Sequence, residues 1–149
     1  VCDRVIYAFT LSPEEITACY EHGTPTLAAR VASVKLAGKT GHPVRLCFDP
    51  MIYYPHYKEV YRRMLGEVFA QIDTDHIVDV SMGSFRISKD YLKNMRRHDV
   101  LSPVVQFPYE NIDGVYQYPD KLRQEMEGFL HKELCKYVEE EHIFCWDQI

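Results

Sequence analysis

The 149-residue sequence predicts an α/β fold in which successive βα units form part of a parallel, TIM-type barrel. Three observations carry this. Strand-like stretches starting near Val5, Val44 and Ile77 recur about every 35 residues, the length of a βα unit with its crossover. Segments of helical periodicity lie between them, and polar residues collect where the strands end.

The elements follow in order. Arg4 to Leu11 ("RVIYAFTL") is rich in β-branched and aromatic residues and reads as a strand. "SPEE" then starts a helix, with Ser12 at the N-cap, Pro13 in the first turn and Glu15 three residues on. After the "HGTP" interruption, Leu27, Ala28, Val31, Val34, Lys35 and Leu36 keep the 3.6-residue spacing of a helix that Gly38 and Gly41 stop. "PVRLCF" (Pro43 to Phe48) reads as a buried strand, and Pro50 and Pro55 mark a loop. Tyr57 to Ile72 is again helical through Val60, Tyr61, Met64, Leu65, Val68 and Phe69. "HIVDVSM" (His76 to Met82) is a third strand, and Ser88 caps "KDYLKNMRR". A long helix near Asp120 to Val138 and a short strand, "HIFCW", close the chain, so helix and strand alternate throughout.

About 150 residues suit a single domain, taken here as 1–149. Seventeen basic against 22 acidic residues give a net charge of -5, which argues against a wholly basic nucleic-acid-binding surface but leaves local patches open. No apolar run is long enough for a membrane span, and no charged leader precedes a short apolar stretch. Five scattered cysteines, Cys2, Cys19, Cys47, Cys135 and Cys145, form no CxxC or CxxxCxxC cluster and read as reduced thiols of a cytoplasmic protein. The seven histidines offer no i, i+4 pair on a helix face, so no histidine metal site is expected. The start at Val1 rather than Met marks the chain as a processed protein or a piece of a longer one.

Period-two alternation puts Val44, Leu46 and Phe48 on one face of the second strand and Arg45, Cys47 and Asp49 on the other. By the same parity Ala8, Thr10, Asp79 and Ser81 share the polar side, the expected lumen. Arg45 then needs a carboxylate, with Asp79 or Asp49 nearest. An interior ion pair that fills space and a functional pair are both compatible with this pattern. In parallel α/β folds the ligand lies beyond the carboxyl ends of the strands, here Thr10 and Ser12, Asp49 to Tyr54, and Ser81 to Arg86. Arg86, Lys89, Lys93, Arg96 and Arg97 form a basic cluster, and with Tyr53, Tyr54, Tyr116 and Tyr118 it could hold phosphates and stacked bases; a solvated helix face is the plain alternative.

The stretch "YAFTLSPEEI...YEHGTPTLAARVASVKLAGKTGHPVRLCFDPMI" resembles the C-terminal half of spore photoproduct lyase and its radical-SAM relatives. The likeness is specific from about Tyr7 to Tyr54, looser through "DVSMGSFRISKDYLKNMRR" and weak after Leu101. It implies a partial (βα) barrel that works with S-adenosylmethionine and a [4Fe-4S] cluster, and a lyase that repairs thymine dimers in DNA through a 5'-deoxyadenosyl radical. It also implies that the cluster-binding, CxxxCxxC-bearing N-terminal half is absent, so that this chain holds no cluster and is inactive alone. None of its cysteines inherits the family's hydrogen-donor role, and Cys47 reads as a small buried hydrophobe.

Carried over residue by residue, the resemblance places Thr10 near the methionyl and ribose parts of the cosubstrate, with Ser12 as a polar neighbour. Asp49 stands at a strand tip within reach of the ammonium or ribose, or is a turn residue before Pro50. Asp79 matches an acidic position, and Met82 lies against the adenine or in plain core. Substrate contacts fall to Tyr53, Tyr54, Arg86, Arg96, Arg97 and Tyr116. The family has an Arg-Tyr pair at a Gly-rich hairpin that meets the lesion, whereas "YENIDGVYQY" aligns Glu110 and Asn111 there. Another nucleotide, an RNA or a peptide is therefore an alternative substrate, and a stand-alone binding module an alternative class. The expected partners are DNA or another nucleic acid, the missing half, and a second copy of the chain through its cut sheet edge.

Overall fold

The computed structural model describes residues 4–146, so Cys2 lies outside the described residues. Strands β1 (Tyr7–Thr10), β2 (Val44–Met51), β3 (Ile77–Ser84) and β7 (Ile143–Cys145) form one parallel sheet in the order β1-β2-β3-β7. Helices α1 (Glu14–Tyr20) and α2 (Leu27–Lys39) connect β1 to β2, and α3 (Tyr57–Phe69) connects β2 to β3. A second, antiparallel sheet of β4 (Arg86–Ser88), β6 (Val115–Gln117) and β5 (Glu110–Ile112) interrupts the repeat, together with α4 (Lys89–His98) and α5 (Pro103–Gln106). Helix α6 (Asp120–Leu134) then leads into β7.

The sheet buries one face because its alternate residues are apolar. Leu46 and Phe48 of β2 and Val80 and Met82 of β3 are at most 1% exposed. They join Val31 and Val34 of α2, Met64, Leu65 and Val68 of α3, and Met126, Leu130 and Leu134 of α6 in one core. Full burial of each such side chain is worth about 2 kcal/mol. The start of α2 is held by Thr26, whose hydroxyl accepts from the Ala29 amide at 3.2 Å, and by Glu14 of α1, which accepts from the Leu27 amide at 3.0 Å.

Several expectations are corrected. The first strand spans Tyr7–Thr10 rather than 4–11, because only this stretch pairs with β2. Helix α1 starts after Pro13, and the buried Ser12 hydroxyl bonds Glu21 rather than capping the helix. Ser88 occupies the N-cap of α4 but makes no side-chain cap bond. Strict alternation of helix and strand ends after β3, where β4 pairs with β6 across α4 and α5. The expected α/β class with parallel strands holds, and among the described residues those strands form one open sheet of four.

Candidate functional site

The register brings the predicted polar face together. Ala8, Arg45 and Asp79 form one row across the sheet, and Thr10, Cys47, Ser81 and Phe144 form the next. Arg45 finds Asp79, not Asp49: Nε donates to Oδ1, and Nη2 donates to Oδ2 at 2.6 Å. Hydrogen bonding to this carboxylate pushes the Arg45 pKa up. The pair closes a bidentate fork in which Asp79 is 8% exposed, which fits the space-filling reading. Cys47 is half-buried on this open face rather than a core hydrophobe. Met82 is on the opposite, helix-covered face; parity with Leu46 and Phe48 sends its side chain into the core.

At the tip of β1 the Thr10 side chain is exposed, and its carbonyl accepts from Arg30 Nη1 at 3.2 Å. Arg30 also donates through Nε to the Pro25 carbonyl at 2.9 Å and through Nη2 to Thr24 Oγ1 at 3.0 Å, and pairs with Glu21. Burial pushes the Glu21 pKa up, but bonds from Arg30, Ser12 and Thr24 outweigh it and hold the carboxyl below its usual range. The "EHGT" turn is thus a brace for the end of β1, and Arg30, its hub, carries no sequence signal beyond its place in an amphipathic helix. Ser12 acts in the same brace.

Asp49 stands in β2, before a cis bond to Pro50. Burial pushes its pKa up against the opposing pull of Arg86 and a hydrogen bond from Trp146. The Arg86 guanidinium lies 5.4 Å from the Trp146 ring centroid. Beside them Glu127 of α6 accepts from the Ser84 amide at 3.0 Å and the Ser84 hydroxyl at 2.7 Å, and meets Arg123 at 3.4 Å. This joins α6 to the end of β3. Sequence reasoning missed Trp146 and Glu127, which the chain brings back from its last elements.

The proposed substrate groups divide. Tyr118 is 1% exposed, and its hydroxyl accepts from the Tyr53 amide at 2.9 Å, so it is framework. Tyr53, Phe107, Tyr109 and Tyr118 form an aromatic cluster with centroids 4.8 to 6.5 Å apart. Tyr53 remains 42% exposed, and Tyr54 and Tyr116 are half-buried. Arg86 belongs to β4 rather than the basic helix. Arg96 is taken up by the carbonyls of Val105, at 2.7 Å, and Phe107, at 3.3 Å, while Lys89, Lys93 and Arg97 are exposed. No group of three His, Cys, Asp or Glu side chains among the described residues could hold a metal ion, so the residues present do not fit an iron–sulfur cluster. No helix among the described residues is long and apolar enough to cross a membrane.

A parallel βα sheet with one face packed by helices, and an opposite face carrying hydroxyl and carboxylate groups, defines an α/β fold. Solved structures of spore photoproduct lyase share this fold. A cysteine-to-alanine variant is similar at a TM-score of 0.80, with 14% identity over 96% of this chain and 44% of that one. The lyase complexed with dinucleoside spore photoproduct gives 0.77 over the same shares. A doubly substituted variant with bound AdoMet and dinucleoside spore photoproduct gives 0.78 over 94% of this chain and 43% of that one. The chain spans less than half the length of these lyases, which agrees with the expected C-terminal half. The likeness in fold continues past Leu101, where the resemblance in sequence fades. No family model matches the chain, and no curated protein matches it either.

Proposed function

We propose that this chain is the C-terminal βα part of a radical-SAM enzyme related to spore photoproduct lyase, acting on a lesion or modified base in nucleic acid. The observation that carries this is a shared fold over nearly the whole chain, including with a lyase holding AdoMet and a dinucleoside lesion.

Thr10, exposed at the end of β1, is the hydroxyl offered to the methionyl and ribose parts of S-adenosylmethionine. Ser12 holds Glu21 and so keeps that tip in place. Asp49 faces the same end of the sheet, where a half-buried carboxylate can meet an ammonium or a ribose hydroxyl. Asp79 fixes Arg45 on the inner face, and Met82 backs the strand from the core side. Tyr53, Tyr54, Arg86, Arg97 and Tyr116 border the substrate side, with Arg96 shaping the loop between α4 and α5. S-adenosylmethionine supplies the radical precursor; the cluster that reduces it belongs to a CxxxCxxC segment outside these 149 residues.

A second reading keeps this chemistry on another nucleotide, RNA or peptide. It is favoured by Glu110 and Asn111, which sit on the exposed β5 edge of the hairpin where an Arg-Tyr pair was expected. The open reading frame upstream of Val1 tests the class, and three cysteines spaced CxxxCxxC are expected there. Their absence would leave a binding module. With the motif present, the reconstituted full-length protein should restore thymines in a dimer-bearing oligonucleotide, as read by chromatography. Failure to do so selects the second reading.

A further inference from the structure

The inner face of the sheet carries a cleft of about 160 Å³ between β3 and β7, lined by Arg45, Ser81, Phe144, Cys145 and Trp146. We infer that this cleft binds a nucleobase of a nucleic-acid substrate, stacked on the Phe144 and Trp146 rings and held at its polar edge by Ser81 and Arg45.

Two large aromatic side chains are exposed where the rest of the face is polar, Phe144 at 50% and Trp146 at 44%. Trp146 is fixed from three sides. Its indole N–H bonds Asp49, the Arg86 guanidinium lies against its ring, and Gly83 leaves space beneath it. A Cβ at Gly83 would come within 3.2 Å of Trp146 Cδ1 and push the ring away. A ring held in one orientation loses little further freedom when another ring stacks on it.

The polar groups point to a heteroaromatic ring rather than a hydrocarbon. Ser81 is only 7% exposed, and its hydroxyl has no hydrogen-bond partner among the described residues. That hydroxyl can donate or accept within the cleft it lines. Arg45 commits Nε and Nη2 to Asp79, which leaves Nη1 outside the fork as a donor with a fixed direction. A hydroxyl that donates or accepts beside a donor-only guanidinium matches the carbonyl-rich edge of a pyrimidine or guanine. Aromatic walls supply the sequence-tolerant stacking by which single-stranded nucleic acids are held.

Ser81 and Phe144 stand in the same cross-sheet row as Thr10, two and three strands away. At a strand spacing of about 4.8 Å this is roughly 10 to 14 Å, which leaves room for a cosubstrate at Thr10 and a base beside it. The assignment rests on the nucleic-acid reading above, and its test is independent of any cluster.

Trp146 is the single tryptophan of the chain, so its fluorescence reports this cleft alone. Titration of the 149-residue protein with single-stranded oligothymidylate should quench that emission. Phe144→Ala, at a half-exposed site, should weaken binding about five- to a hundredfold while the protein stays folded. Ser81→Ala should weaken it several-fold without lowering the unfolding temperature, because no protein hydrogen bond is lost. Absence of quenching by oligothymidylate, or quenching unchanged in Phe144→Ala, overturns the assignment. Quenching by S-adenosylhomocysteine that oligothymidylate cannot displace also overturns it and gives the cleft to the cosubstrate. Quenching by oligothymidylate in a protein whose gene lacks the upstream cysteines upholds the cleft and removes the radical chemistry.

Discussion

Arg30 shows how much one side chain can hold that a sequence pattern hides. Its guanidinium joins the carbonyl ends of β1 and of the "HGTP" turn to Glu21, and only 12% of its side chain is exposed. Arg30→Ala should cost about 2 to 3 kcal/mol, measured by urea unfolding, because a charge-assisted network loses the cation at its centre. The sign of its pH dependence follows from Glu21. A folded-state pKa below the unfolded value means that the contribution is present at neutral pH and lost as pH falls through the carboxylate range. The stability difference between wild type and variant should therefore narrow on acidification. Thr10, Asp49 and Asp79 were legible because side-chain parity along a strand depends on local geometry alone. Arg30 was not, since its partners lie in three different segments. Ser12 was misread for the same reason: a serine before Pro-Glu-Glu has the form of a cap, but Pro13 takes the N-cap position and the Ser12 hydroxyl donates to Glu21.

At the scale of elements, the β5–β6 hairpin and α6 respond to glycine substitution in opposite senses. Asp113 and Gly114 both have positive φ, 51° and 87°, the pairing that a two-residue hairpin turn requires, and the Gly114 carbonyl accepts from the Lys89 amide at 3.1 Å. Gly114→Val should cost about 1 to 2 kcal/mol through left-handed strain. Gly128 lies inside α6, where an added Cβ meets nothing within 4 Å. Gly128→Ala should gain about 0.5 to 1 kcal/mol by restricting the unfolded chain, a rise of roughly 1 to 4 °C in thermal unfolding. The long helices and the parallel strands were readable from periodicity, because each buries one face of its own. The antiparallel insert was not, since β4 meets β6 only after α4 and α5 have folded between them. The strand "HIFCW" was found, but its neighbour on the sheet was not.

For the whole molecule the open sheet edge is the main physical liability. Among the described residues β1 pairs on one side only, and Val5, Ile6 and Tyr7 are 42%, 47% and 44% exposed beside it. Unpaired backbone groups beside apolar side chains favour pairing with another strand, such as that of a second copy. Light scattering of the isolated chain should show mass rising with concentration, and Ile6→Lys should suppress it. A concentration-independent monomer would remove this expectation. The sequence by itself determined the order of βα units, the helix-packed face of the strands and the polar face that carries Thr10, Arg45, Cys47, Asp49 and Asp79, because periods of 2 and 3.6 residues express local backbone geometry. Only the tertiary structure decided that Arg45 meets Asp79, that Met82 is core, and that Trp146 returns from the far end of the chain to stand over Gly83 beside Asp49 and Arg86. Those contacts join residues tens of positions apart, and their existence depends on sheet register and helix packing rather than on any neighbour in sequence.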